Sequence, residues 1–207
     1  MVLLLAVILA GCKTSSQESL RSGDLLFIEI PADYTLAEGS KLGFDSGALN
    51  IHVAILEVSA RDTLIIDATI ARGVARYPFR DFKKDFTLRD GSLPRMEVYR
   101  ANVSKEQAEN FVQNAVAFLG QAYDVDFEYD NGALYCSELV DESFVSADGR
   151  HLFDKSPITF KDSAGCIPQY WTDIFALLGK DIPEGHMGIM PEEMMRSSAL
   201  SRVGLLN

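Results

Sequence analysis

The apolar residues of this chain are grouped as strands before residue 102 and as helices after it, and that order restricts the fold more than any other feature. Arg21-Ser22-Gly23-Asp24 leads into LLFIEI, an apolar strand candidate. HVAILEV (52–58) and TLIIDAT (63–69) read as two strands joined by the short turn SARD, with GVARYPF (73–79) as a third and RMEVYRA (95–101) as a fourth. Residues 31–50, rich in Gly, Asp and Ser, read as a long loop. Ser104 then opens a helix. Gln107 three residues later completes a capping box, and Ala108, Phe111, Val112, Ala115, Phe118 and Leu119 share one face up to the stop at Gly120. CSELVDESFVSA predicts a second helix, with Leu139, Val140, Ser143 and Phe144 on one side and Glu138, Asp141 and Glu142 largely on the other. WTDIFALLG predicts a short third helix ending at Gly179, and EGHMGIMPEEMMRSS reads as loop and surface turn. Strands first and helices afterwards imply an α+β fold, helices packed on an antiparallel sheet. The 207 residues suit one domain, and 47% hydrophobic with 24% charged residues excludes wholesale disorder.

The first residues stand outside that pattern. Val2 to Ala10 is an unbroken apolar run, VLLLAVILA, too short to span a bilayer and of the length of an export signal. It ends in Leu9-Ala10-Gly11-Cys12, which resembles the bacterial lipobox, whose cysteine is lipidated. The run departs from the usual signal in having no Lys or Arg before it. The expected division is therefore 1–11 as signal peptide, 12–20 as a lipidated polar tether anchored through Cys12, and 21–207 as the working domain. Several acyl chains on one cysteine anchor firmly to a membrane. Lys13, rather than Asp, after the cysteine resembles the enterobacterial sorting pattern for the outer membrane, so the chain is expected lipid-anchored in the cell envelope, at the outer membrane more than at the inner one.

A net charge of -11 repels phosphate backbones, which argues against nucleic acid as a partner. With Cys12 assigned to lipidation, Cys136 and Cys166 remain. They could form a disulfide in an oxidising compartment. Cys166, in AGCIPQYW, otherwise reads as a small buried residue.

Cys136 opens the second predicted helix, where unpaired N–H groups and the positive dipole end favour a thiolate and can also bind an oxyanion. A thiolate nucleophile needs an imidazole partner. His52 opens a strand directly after the long loop, where side chains reach a cleft; His151 lies in the polar turn ADGRHLFD and His186 in the loop PEGHMG. A hydrogen-bonded strand-end histidine is the alternative for His52. Asp67, in IIDAT on the next strand, is the candidate that orients the base, given a favourable hairpin register. Otherwise it caps the strand end or faces solvent. No metal is expected, because the chain has no HExxH or CxxC spacing and its histidines are far apart.

GDLLFIEI, HVAILEV, IIDATIARGVARYPFRDF, AYDVDF and YCSELV, in that order, resemble the YiiX/YebB-like family, papain-like enzymes of the NlpC superfamily with a circularly permuted chain. In that permuted order His precedes Cys, as here. The resemblance covers roughly residues 21–190. It implies Cys136 as nucleophile, His52 as base and Asp67 as third member, although many relatives carry Glu there. Tyr123 and Tyr135 flank the site in sequence, as cleft-lining residues or oxyanion donors, or as buried core tyrosines. The implied function is a cysteine hydrolase that cleaves amide bonds through a thioester, without a cofactor, acting as a monomer on cell-wall peptides. The alternatives are a lipid-directed amidase or acyltransferase on a lipid-amide substrate, with Phe175, Leu177, Leu178, Met187, Ile189 and Met190 lining its groove, and a non-enzymatic envelope binding protein.

Overall fold

The computed structural model describes residues 19–206. The signal segment and Cys12 lie outside the described residues. Strand β1 (Asp24–Pro31) is followed by a 3-10 turn (Gly43–Ser46), then β2 (Ala48–Val58), β3 (Thr63–Thr69), β4 (Gly73–Pro78), helix α1 (Phe79–Asp85) and β5 (Arg95–Ala101). Helices α2 (Lys105–Ala117) and α3 (Cys136–Ser143) follow. The last part holds β6 (Ser156–Pro157), α4 (Gln169–Leu178), β7 (Met187–Gly188), α5 (Pro191–Arg196) and β8 (Leu200–Leu206).

Six strands form one antiparallel sheet in the order β4-β3-β2-β1-β5-β8, and β6 pairs with β7. Alternation along the central strands separates two cores. Leu25, Phe27, Val53, Ile55 and Ile66 meet Phe111 and Val112 of α2 and Leu139 and Val140 of α3. Leu26, Ile28, Ala54, Leu56 and Ile65 face the other way, against Phe82 of α1. Both faces of β1 are thus covered, and its burial is continuous. A third cluster joins Phe127, Tyr135, Phe160, Trp171 and Phe175 around α4.

The Gly-Asp pair ahead of β1 has a defined task. Gly23, at φ +85°, donates its N–H to the Leu56 carbonyl, and a Cβ there would lie 2.9 Å from the Ala108 carbonyl oxygen of α2. Asp24 is buried and takes both Nε (2.7 Å) and Nη2 (2.8 Å) of Arg100, tying the start of β1 to β5.

Several expectations need correction. The loop after β1 ends sooner than residue 50, because β2 begins at Ala48, so His52 lies within the strand and not at its start. The third strand stops at Pro78, whose ring denies the sheet an N–H, and Phe79 begins α1 instead. Helix α2 is capped by Ser104, whose Oγ accepts the Gln107 N–H at 3.1 Å, but it ends at Ala117, ahead of Gly120. The expected polar side of α3 is mostly interior: Glu138 and Asp141 are as buried as Leu139, and Glu142 alone of the three is half-exposed. Glu138 turns back to accept the Tyr135 N–H (3.3 Å), and Asp141 accepts from the Tyr129 hydroxyl (3.1 Å). The tail is not all loop, since it supplies α5, and β8 completes the sheet against β5. Leu177 and Met187 point to solvent, whereas Phe175, Ile189 and Met190 are buried. Cys166 is exposed and free, so no disulfide joins it to the buried Cys136.

Gly188 lets the third cluster close over the start of α3. A Cβ there would fall 2.5 Å from the Tyr135 hydroxyl oxygen and 3.0 Å from Ile158. Gly188→Ala is expected to break the bond from Ile189 N–H to that hydroxyl (3.2 Å) and to destabilise the fold by about 1–3 kcal/mol, read as a shifted urea midpoint.

Candidate active site

Cys136 is the first residue of α3, and Tyr135 before it is extended. The thiol is buried, 5% exposed, and it fits into a gap in the sheet. Pairing between β2 and β3 runs from Val58–Thr63 to Ile55–Ile66 and stops there, although both strands continue. Beyond that point the Val53 N–H has no ladder partner on β3 and donates to the Cys136 sulfur, as does the Ser137 N–H from the first turn of α3. Two backbone donors and the helix N-terminus therefore favour the thiolate.

The same gap takes the imidazole. β2 carries a bulge opposite Ile28 and Glu29, which pair with His52 and Asn50 and leave Ile51 as the extra residue. A bulge re-aims the neighbouring side chain, and His52 is thereby hydrogen-bonded to Cys136. Its Nε2 lies 2.9 Å from Oδ2 of Asp67, which is fully buried on β3. Oδ2 also accepts from the Tyr77 hydroxyl of β4 at 3.0 Å. From α1, Phe86 (ring centroids 4.7 Å apart) and Phe82 (6.0 Å) hold the imidazole between the sheet and the helix.

Burial opposes charge on both reactive groups, and their mutual attraction outweighs it. For His52, burial lowers basicity, but Cys136 first and Asp67 next raise it from the ordinary 6.5 to about 9. For Cys136, burial raises the thiol, while His52 and then the Val53 and Ser137 N–H groups bring it below its ordinary value. Both shifts favour the charged forms, a thiolate beside an imidazolium. Because the folded His52 is the more basic form, the stability it contributes is complete below pH 6.5 and is lost as pH rises through about 9.

A cavity of about 530 Å³ opens beside His52. Its walls are largely apolar: Ile51, Phe86, Phe127, Ile174 and Leu178, with the aromatic residues of α4. Arg72 and Asp85 belong to the same wall and are bonded to each other (Nη2 to Oδ2, 2.6 Å). Tyr123 lines the cavity, and burial, followed by the negative charge at Cys136, drives its phenol upward. Tyr135 does not line it: the ring stacks on Phe127 (4.6 Å) in the core, and the hydroxyl is engaged by Ile189 N–H. His151 instead meets Asp141 (3.2 Å) near the end of α3, and the His186 carbonyl accepts the Ile158 N–H. Tyr77, Phe86 and Tyr170 are the neighbours that the sequence did not single out. Tyr170 lines the cavity, and burial, then Cys136, raise its phenol. No motif marks any of the three, because each is one aromatic residue among apolar neighbours.

A strand-borne imidazole that precedes, in chain order, a thiol at a helix start is the papain arrangement on a permuted chain. The family model described as "permuted papain-like amidase enzyme, YaeF/YiiX, C92 family" matches residues 19–204, and the chain belongs to this family. The family is one of cysteine-type amidases and peptidases. The uncharacterized protein YiiX of Escherichia coli K12 is 27% identical over 101 residues, a match that spans 49% of each chain. The crystal structure of metalloprotein YiiX from E. coli O157:H7 superposes with a TM-score of 0.60 at 19% identity, covering 88% of this chain and 95% of that one, a shared fold.

The paired charges predict selective alkylation. At pH 6 an ordinary thiol near pKa 8.5 is under about 1% thiolate. Iodoacetamide is expected to modify Cys136 faster than the exposed Cys166, read by peptide mass. His52→Ala is expected to slow Cys136 about tenfold or more at that pH, and equal rates at the two cysteines would contradict the ion pair.

Proposed function

We propose that the chain is a cysteine amidase that works through a thioester, on a lipid-amide substrate whose apolar part lies in the cavity. The observation that carries this reading is the contact line Cys136–His52–Asp67, whose His52 lines a cavity walled by aliphatic and aromatic side chains. The Cys136 thiolate attacks the amide carbonyl, and N–H groups of the first turn of α3 face the developing oxyanion. The His52 imidazolium gives its proton to the departing amine. Neutral His52 then takes a proton from the water that attacks the thioester, and Asp67 keeps the ring in the required tautomer.

Cell-wall peptides carry several carboxylates, and a site for them is expected to offer free cations. Among the lining residues the cations are His52, whose charge is paired with Cys136 and Asp67, and Arg72, which Asp85 already neutralises. The apolar wall supports the lipid-amide reading instead. An anchor at Cys12 fits the same reading. The seven residue steps from Cys12 to Ser19 reach about 25 Å at full extension, which would keep the cavity close to an envelope membrane.

The E. coli neighbour is described as a metalloprotein, and that description applies to the E. coli protein. In this chain Asp141, Glu142 and His151 bring ligand-type atoms within 4.8 Å of one another. The cation among them is Lys155, with Nζ 3.6 Å from Asp141 and 3.3 Å from Glu142, a donor set that does not suit a second positive ion.

Purified protein is expected to hydrolyse N-acyl amino acids, with kcat/KM rising about fourfold per added methylene until the cavity is filled. Cys136→Ala should abolish turnover. Release of peptides from peptidoglycan with no hydrolysis of acyl amides would replace this substrate with the cell-wall peptide.

A further inference from the structure

We infer that Tyr77 is a positioning residue, whose hydroxyl fixes the Asp67 carboxylate against His52 and so sets the charge held by the imidazole. This rests on the reading of Cys136 and His52 as a reactive pair, but not on the identity of the substrate.

Asp67 is fully buried, and its Oδ1 has no hydrogen-bond partner among the described residues. Both donors converge on Oδ2: His52 Nε2 at 2.9 Å and the Tyr77 hydroxyl at 3.0 Å. A buried carboxylate normally collects several donors. Without Tyr77, His52 alone would face the negative charge.

The hairpin register puts the tyrosine there. Asp67 pairs with Ala75 and Ile65 with Tyr77, so Tyr77 is the diagonal neighbour on the face that Asp67 shares. Its ring is fixed from the other side by the Arg72 guanidinium, 4.5 Å from the centroid, which Asp85 of α1 holds in turn. Burial first, and the Asp67 charge second, drive the phenol far upward, so it stays a donor across the working pH range. The charged or titratable groups around the imidazole are few. Cys136 faces it from α3 and Asp67 from β3, while Tyr77, Arg72 and Asp85 act on it through Asp67. Phe82 of helix α1 and Phe86, the residue that ends it, turn their rings to His52.

Removal of the hydroxyl leaves more of the carboxylate charge to the imidazole, which should hold its proton more tightly. The test is the pH titration of the His52 ring, followed by NMR in the full chain labelled with 15N-histidine. The rate of Cys136 alkylation is measured across the same pH range. Tyr77→Phe is expected to move the His52 midpoint above its wild-type position. Asp67→Asn is expected to lower it, and Tyr77→Phe added to Asp67→Asn should move it no further. 3-Fluorotyrosine at position 77 keeps the hydroxyl and makes it a stronger donor, so it should move the midpoint downward and covers the case of a Phe variant that folds poorly. A tyrosine that only packs would change the melting temperature and leave the titration in place. That result, or an additive double variant, would overturn the inference. No amide substrate enters the measurement, so failure of the amidase reading is seen separately.

Discussion

The structure depends on one separation, the parting of β2 from β3 beyond Ile55 and Ile66. A continuous ladder would have used the Val53 N–H and closed the space. Because it ends early, the sulfur of Cys136 takes that N–H, and His52 and Asp67 meet across the opening. Everything else that positions the site limits this opening. The β2 bulge turns His52 into it, α3 supplies the thiol from one end, and α1 lays two phenylalanines on the imidazole. The sheet can tolerate the loss because the β1–β2 ladder on the other side of β2 continues to Ala48.

Two opposite charges in a buried gap are not a source of stability in themselves. Desolvation of each ion costs several kcal/mol, and mutual attraction returns that only with good geometry and further hydrogen bonds. Here those bonds come from backbone N–H groups on the thiolate side and from Asp67 on the imidazolium side. The cost is met by the packing around them. Leu139 and Val140 of α3 are fully buried, and each contributes about 1.5–3 kcal/mol of hydrophobic stabilisation. The hydrophobic core thus holds a pair in contact that would relax apart in water, which is how a fold stores reactivity.

The parts of this arrangement that can be read from the chain are those with a local cause. The bounds of β3 and β5 are legible because their apolar runs end at turns, and α2 is marked by Ser104 and Gln107. The α+β class follows from the order of such segments, and the permuted papain-like family from the resemblance they carry, which the family model matches. What cannot be read depends on partners distant in sequence. β8 is an edge strand whose run is broken by Ser201, Arg202 and Gly204, and only β5 makes it a strand. Glu138 and Asp141 are polar by residue type, so helical periodicity sets them on a solvent face. Tyr129 and the helix's own N-terminus draw them inside. Cys166 misleads in the opposite sense: free cysteines are ordinarily buried, yet its turn at Asp162–Cys166 leaves it in solvent. The register that brings Asp67 to His52 is also out of reach, since a shift of one residue would reverse its face.

The cavity and the charge pair act on each other. Electrostatic attraction strengthens as water is excluded, and Phe86, Phe127 and the α4 side chains line the cavity beside His52 with apolar surface. An apolar group seated there would remove the remaining solvent and hold the pair more firmly in its ionic form until the carbonyl reaches the sulfur. A charged ligand would bring its own hydration and weaken the same attraction. The chemistry of the site and the polarity of its cavity therefore select together. On the proposed lipid-amide reading, a thiol drawn toward its thiolate by one imidazolium gains most when what enters beside it carries no charge of its own.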